Sequence, residues 1–594
     1  MNPTEFYSAR TEYFSQQVNR LKKLENRLAI YRLITFVSAF VFLFALITFS
    51  LSIAVTTSVL LFFAFGILVK RHLLVEKHRK FNQYMETINR RELECINGNF
   101  SVFPDGSQYT DVAHPYTYDL DIFGKSSLFQ FVNRTFSKPA SDLLASWLKA
   151  PAELQLIPVR QKAVEELKPL TDWRQKLIAL GYSNPAGSED PQNVLEWLTS
   201  SDLFRNPVKL RITSYLLSLF TFFVLLLVVL GAPLQVMVPV FAINFLFYFF
   251  RSKIITELHN RVSRSSAMME GYGEAIGLIE DHTFSSDGLK KLHQLFFQNE
   301  KASLAVSRLR KLTGRLDARM NILVAIPLNL FFFWDIHCCL ALEKWKRDHA
   351  AMVTSWFDAM AEFEVLSSFA NMAFNNPGWA IPVIHTDYFI LKAKEAGHPL
   401  IAGQRRITNS FEIDGQGRSV IITGSNMSGK STFLRTCGIN GVLAFAGSVV
   451  CASEFAISHV HVLSSMRISD SLEDNTSSFY AELKKLAYII RYSENNQHVL
   501  LLLDEILRGT NSNDRYIGSV ALIKQLIHYG TVSLVATHDL RLADMTGDLP
   551  GKIDNYHFDV KIDGEELYFD YLLNPGICTS LNASLLMKKM GIKI

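Results

Sequence analysis

The residues of this chain that carry chemistry most directly are Gly424-Ser425-Asn426-Met427-Ser428-Gly429-Lys430-Ser431-Thr432. Two glycines bracket the loop, so the backbone can turn and aim successive N–H groups at phosphate oxygens. Lys430 has the length and charge to reach β- and γ-phosphates of ATP. The Ser431 hydroxyl suits the shell of Mg²⁺, and Thr432 sits in the first turn of a helix whose N-terminus favours negative charge. Downstream, Asp504 and Glu505 form an acidic pair. Asp504 suits the Mg²⁺ shell, and Glu505 is placed to polarise an attacking water. His538 is the third candidate, able to sense a γ-phosphate or its water. Lys430, Glu505 and His538 are thus the expected catalytic residues, and Ser431 and Asp504 the expected metal ligands.

These residues need strands that end together. The β-branched run 420–423 precedes the glycine loop, and a helical pattern follows from Phe433. The run 499–503 reads as a strand buried on both faces that delivers Asp504 and Glu505 to the C-terminal edge of a parallel sheet. A third apolar strand, 532–536, ends at Thr537-His538-Asp539. Strand, loop and helix in this order are the context that a phosphate-binding P-loop requires.

With those elements in place, Thr423 to Thr432, Asp504 to Ser512 and Ala536-Thr537-His538 resemble the ATPase domain of the MutS family. Ser477-Ser478-Phe479-Tyr480-Ala481-Glu482, preceded by Arg467-Ile468-Ser469-Asp470, resembles the loop between the family's first two motifs. The resemblance implies a homodimer in which Ser477 and Ser478 reach the partner's nucleotide. Asn513-Asp514 falls where the family's dimer-contacting loop lies. Weaker matches extend upstream through Ser127 to Thr135, Trp147 to Pro151, Ile157 to Val164 and Gly397-His398-Pro399-Leu400. The resemblance thus implies an α/β P-loop ATPase domain of the ABC/MutS type, over residues 381–594. It follows an all-α core and lever region over 126–380.

Two departures stand out. Mismatch-reading members of the family carry a Phe-x-Glu wedge in an N-terminal domain, and no Phe-x-Glu occurs in this sequence. Apolar runs stand in its place. Uncharged residues extend over 33–69, bounded by Arg32 and Lys70, and over 212–250, bounded by Arg211 and Arg251. One spanning helix needs about 20 residues, so each run fits a transmembrane hairpin, broken near Ser50 and near Gly231-Ala232-Pro233. The expected segments are therefore an N-terminal cytoplasmic helix (1–30), hairpin 1 (31–70), a cytoplasmic linker (71–125) and hairpin 2 (212–250) set inside the helical core. Lys22, Lys23, Arg27 and Arg32 precede hairpin 1, and Lys70, Arg71, Lys77, Arg79 and Lys80 follow it. Arg205, Lys209 and Arg211 precede hairpin 2, and Arg251 and Lys253 follow. The positive-inside bias then puts the soluble parts in the cytoplasm of a multi-pass inner-membrane protein. Polar residues 1–30 make the first hairpin read as a signal anchor. The apolar stretch 320–334 is too short to span and is followed by Asp335 and His337, so it reads as a buried helix or a signal-like run.

Composition sets looser bounds. Of 594 residues 49% are hydrophobic, including 44 Phe, which the two apolar runs explain. The 6 cysteines lack C-x-x-C spacing, so neither a zinc site nor a disulfide framework is indicated. A net charge of +4 is too small to argue for nucleic acid. Lys301, Arg308, Arg310, Lys311, Arg315 and Arg319 are the candidate DNA-phosphate contacts, although such a run is more often a solvated helix face. Three classes emerge: a membrane-anchored ATPase acting on mismatched or branched DNA, a membrane-tethered nucleotide switch without DNA, and an ABC-type transporter. The third is disfavoured because two separated hairpins leave little room for a translocation path and a Leu-Ser-Gly-Gly-Gln loop is absent. Hairpin 2 interrupts the helical region roughly where the family's levers carry a DNA-gripping clamp, so the levers are expected to end in the membrane.

Overall fold

A computed structural model of the chain describes residues 2–183, 192–386, 388–467, 478–496, 498–563 and 566–578. Ser477 and residues 468–470 lie outside the described residues; of Ser478 only the backbone is described.

The chain opens with two long helices, α1 (Pro3–Leu46) and α2 (Leu51–Ile96). No glycine or proline interrupts α1 beyond its first turn, so the charged N-terminal residues and the apolar run share one helix. Asn2 caps it, its side chain accepting from the Thr4 N–H at 3.0 Å. The two helices pair antiparallel. Ser58 Oγ donates to the Ala39 carbonyl at 3.0 Å near the turn, and Arg79 meets Glu25 at 2.5 Å farther down. From the turn down to Arg32 and Lys70 the outer faces are apolar and exposed, as at Phe44, Phe49 and Phe63.

A helical core follows: α3 (Leu128–Val132), α4 (Lys138–Lys149), α5 (Leu156–Leu167), α6 (Thr171–Ser183) and α7 (Gln192–Thr199). Next come α8 (Pro207–Val229), α9 (Met237–Glu280), α10 (Asp287–Gln294), α11 (Ala302–Leu316), α12 (Ile322–Phe332) and α13 (Trp334–Asn375). The helices 3–46, 51–96, 207–229 and 234–280 are each long and apolar enough to cross a membrane by length and composition. The 42-residue α13 is buried along most of its length and forms the spine of the core. Its far end meets the start of α1, where Tyr7 donates to Asn375 at 2.7 Å. Beside it the buried Glu92 of α2 pairs with Arg134 at 2.5 Å.

One expectation fails. Helix α12 is not buried: Ile322 is 69% and Leu323 82% exposed, and the helix meets α13 at an 82° bend. Hydropathy alone reports that these residues avoid water, not whether protein or lipid covers them.

The C-terminal part holds two sheets. The first comprises β1 (Val383–His385), β2 (Ile390–Ala396), β3 (Asn409–Asp414) and β5 (Glu454–Ser458), in the order β1-β5-β2-β3. The second contains β4 (Ser419–Gly424), β6 (His461–Ser465), β7 (Val499–Asp504), β8 (Val532–Thr537), β9 (Ile553–Asp563) and β10 (Glu566–Pro575). Its order is β10-β9-β4-β8-β7-β6, parallel except at β10. Strands β4, β7 and β8 are buried at every residue, because helices cover both faces. Ile422, Leu502 and Leu534 face α14 (Lys430–Ala446) and the helical core. Ile421, Leu501 and Val535 face α15 (Ser478–Asn495) and α16 (Ser512–His528). Alternate residues of one strand therefore belong to two different cores. A short α17 (Met545–Asp548) closes the domain.

Candidate functional site

The C-terminal ends of β4, β7 and β8 meet at one edge of the second sheet. Register fixes this: Thr423 lies opposite Thr537, and Asp504 opposite Ala536. Adjacent parallel strands thus deliver the glycine loop, the acidic pair and His538 side by side.

The loop depends on its two glycines. Gly424 has φ +150°, and a Cβ there would lie 2.8 Å from Ser428 Oγ and 2.9 Å from the Phe558 carbonyl oxygen. Gly429 has φ +106° and is the N-cap of α14; a Cβ would approach Tyr571 Cδ1 to 3.1 Å. Both conformations strain any other residue. Met427 also takes a positive φ of 70°, with its side chain exposed. Lys430 is buried and its Nζ donates to the Gly424 and Ser425 carbonyls at 2.8 Å each. Burial lowers its pKa, while Glu505 and Asp504 act in the opposite direction.

Asp504 is also buried, and burial raises its pKa against the opposing effects of a hydrogen bond with Ser431 and the nearby Arg508 charge. Among the described residues its Oδ1 has no hydrogen-bond partner, and neither do the buried hydroxyls of Ser425 and Ser428. Three orphaned oxygens around one lysine form a donor set that suits phosphate and a hard divalent cation. Ser431 and Asp504 would supply the metal ligands, and the loop N–H groups with Lys430 would hold the phosphates.

Glu505 stands just past β7 at φ 50°, with its N–H donating to the Ala536 carbonyl at 2.9 Å. This turns its side chain out of the strand register, toward His538 Nδ1 at 3.6 Å and Arg508 Nε at 3.3 Å. A cleft of about 460 Å³ opens above the loop, lined by Asn426 to Phe433 and Thr436 on one side and His398, Arg405, Ile407 and Tyr571 on the other. Glu505 also lines it; His538 faces the adjoining smaller recess with Thr537 and Asp539. Burial, with Arg435 nearby, lowers the His398 pKa to about 4, so its imidazole is neutral at pH 7.

The structure therefore brings Lys430, Ser431, Asp504, Glu505 and His538 to one sheet edge. It leaves Ser477 unplaced, and Ser478 opens α15 close to the acidic loop. One residue with no role read from sequence is Glu482. It is buried on α15 and accepts from the Leu507 N–H at 2.5 Å, tying α15 to the turn after Glu505. Gly509 permits the same approach, since a Cβ there would lie 2.6 Å from Phe479 Cβ. The positive φ of 60° at Leu507 marks the turn that Glu482 holds.

Comparison with known proteins agrees with this geometry. Residues 420–588 match the family model for MutS domain V. Over 249 residues the chain is 33% identical to the "DNA mismatch repair protein MutS" of Oleidesulfovibrio alaskensis, covering 40% of this chain and 27% of the relative. It is 31% identical over 261 residues to "MutS protein homolog 4" of Homo sapiens, covering 42% and 27%. A third relative, the MutS of Thermotoga maritima, is 32% identical over 235 residues, covering 39% and 29%. The chain thus spans less than a third of the length of these relatives. The similarity to the MutS family thus lies in the C-terminal α/β domain, which matches MutS domain V.

Proposed function

We propose that the protein is a membrane-anchored ATPase of the MutS type, which binds ATP with Mg²⁺ and hydrolyses it in a homodimer, and whose ATP-bound form engages mismatched or branched DNA. The observation that carries the ATPase reading is the convergence of Lys430, Ser431, Asp504 and Glu505 with unpartnered buried oxygens at one cleft. Mg²⁺, held by Ser431 and Asp504, would neutralise charge on the phosphates. Lys430 exchanges its two carbonyl partners for phosphate oxygens at little electrostatic cost, since both sets are acceptors. Glu505 orients and polarises water, and His538 beside it reports on the γ-phosphate. Ser477 and Ser478 complete the partner's site, so hydrolysis depends on dimerisation. The four apolar helices, with basic residues at both ends of each hairpin, support an inner-membrane location with the ATPase domain in the cytoplasm.

The names of the relatives favour the DNA branch. A second reading, a nucleotide switch acting on the membrane without DNA, is favoured by two other observations. Helix α9 runs unbroken from the core into the apolar hairpin. The candidate phosphate contacts are largely engaged within the protein: Lys301 with Asp281, Arg308 with Glu300, Arg310 with Glu270 and Arg319 with Asp335. The deciding experiment is DNA binding by detergent-purified full-length protein at stated salt, with matched duplex, mismatched duplex and a four-way junction. ATP-dependent preference for one structure, lost in Lys430→Ala, supports the DNA branch. No binding alongside intact ATP hydrolysis leaves the membrane switch.

A further inference from the structure

The segment 319–337 runs beside the apolar hairpin of α8 and α9, and its contacts form a ladder along that hairpin. At the entry, Arg319 Nη2 donates to Thr256 Oγ1 at 3.0 Å, beyond the basic end of the uncharged run. Eleven residues later the Leu330 carbonyl accepts from Asn244 Nδ2 at 2.8 Å, and Asn244 donates at 2.8 Å to Thr221 on α8 as well. Phe331 reaches deeper still, its ring 5.3 Å from that of Phe241. The path then returns. Phe333 packs on Phe247 at 5.2 Å, Asp335 accepts from Tyr248 at 2.9 Å, and His337 meets Ser214 at 3.3 Å. From Arg251, where the uncharged run ends, to Phe241 the rise along α9 is about 15 Å at 1.5 Å per residue. That is about half of a bilayer's hydrocarbon core.

We infer that α12 is a re-entrant helix: it enters the bilayer from the cytoplasmic side beside α8 and α9, turns back at Phe333 within the inner leaflet and leaves as α13, with inner-leaflet acyl chains covering its outer face. This rests on the reading that α8 and α9 span the membrane. Helix α12 has 11 residues and is too short to cross. A break in a helix at membrane depth is tolerated only where protein satisfies the freed backbone groups. Here that condition is met. Phe333, in the left-handed region at φ 47°, is fully buried; Asn244 caps Leu330, and Asn329 accepts from the Asp335 N–H at 3.0 Å. Asn244 and Asn329 thereby acquire a reason to be buried among apolar helices. The outer face is continuous with the hairpin: a groove of about 300 Å³ between the two, lined by Phe245, Tyr248, Ile322, Ile326 and Leu330, is almost wholly apolar, as acyl chains require and a polar ligand does not.

The test is nitroxide labelling of full-length protein reconstituted in phosphatidylcholine–phosphatidylglycerol vesicles. Labels go at Leu323→Cys and Ile326→Cys, with Phe223→Cys on the hairpin and Ile517→Cys on the ATPase domain as references. The six native cysteines are buried and do not compete. The expected result is a shift of collision accessibility toward oxygen over a water-soluble nickel chelate at 323 and 326, as at 223 and opposite to 517. Nickel-favoured labels at 323 and 326 with an oxygen-favoured 223 would overturn the re-entrant helix and leave the hairpin intact. Labels shielded from both reagents would overturn it in favour of a protein partner, such as a second copy. A nickel-favoured 223 would remove the spanning hairpin and the proposal together.

Discussion

Nδ1 of His538 lies 3.6 Å from Oε1 of Glu505, although 33 positions separate them in sequence, because β7 and β8 are neighbours in the parallel sheet. The pair couples the residue that would polarise water to the residue that would sense phosphate. Glu505→Gln should bind ATP as the parent does and lose about 100-fold or more in turnover. His538→Ala should lose less, since His538 is half exposed and acts on the water through Glu505. Single-turnover hydrolysis with parallel nucleotide-binding measurements separates the two.

Gly429 has no room for a side chain. Gly429→Ala combines a left-handed φ, worth about 1–2 kcal/mol of strain, with a Cβ 3.1 Å from Tyr571. ATP affinity should fall at least tenfold while the fold survives, since the strain falls on one loop. Nucleotide binding beside circular dichroism is the check.

Glu482 holds the turn that presents Glu505. Glu482→Ala leaves the buried Leu507 N–H without its acceptor, a cost of about 1–3 kcal/mol. Turnover should fall with affinity nearly unchanged, because Glu482 positions the acidic loop and does not line the cleft. Glu482→Gln keeps an acceptor and should restore most of the loss.

Asp504 sits where its charge is costly. Burial raises its pKa, so the folded state holds this proton more tightly than the unfolded chain, and stability declines as pH rises through that range. Asp504→Asn should therefore raise the unfolding temperature at pH 8 while abolishing Mg²⁺-dependent hydrolysis. Thermal unfolding and phosphate release report the two effects separately.

Glu364, within α13, gives a pH signature of the helical core. Burial pushes its carboxyl from 4.5 up to about 7, against hydrogen bonds from Ser137 and Phe136. Its contribution is fully present below pH 4.5 and is lost as pH rises to about 7, of order 3 kcal/mol in all. Glu364→Gln should flatten stability across this window, measured by chemical unfolding at fixed detergent.

Much of the α/β domain was legible because strands buried on both faces must be continuous apolar runs, and 420–423, 499–503 and 532–536 are such runs. The four long apolar helices were legible for a similar reason: long uncharged stretches have few alternatives. Contacts fixed only by the fold were not. Nothing local to Glu482 announces Leu507, and nothing near Phe331 announces Phe241. The stretch 320–334 misled because hydropathy cannot distinguish a protein core from a lipid face. The unbroken α1 was hidden by the change from charged to apolar residues, which alters the solvent of a helix without ending it.

The most direct test of the central claim is Mg²⁺-dependent ATP hydrolysis by purified full-length protein, compared with Lys430→Ala and Glu505→Gln. The account predicts measurable turnover in the parent, loss of both binding and turnover in Lys430→Ala, and binding without turnover in Glu505→Gln. Parental turnover in either variant, or a parent that neither binds nor hydrolyses ATP, would contradict it.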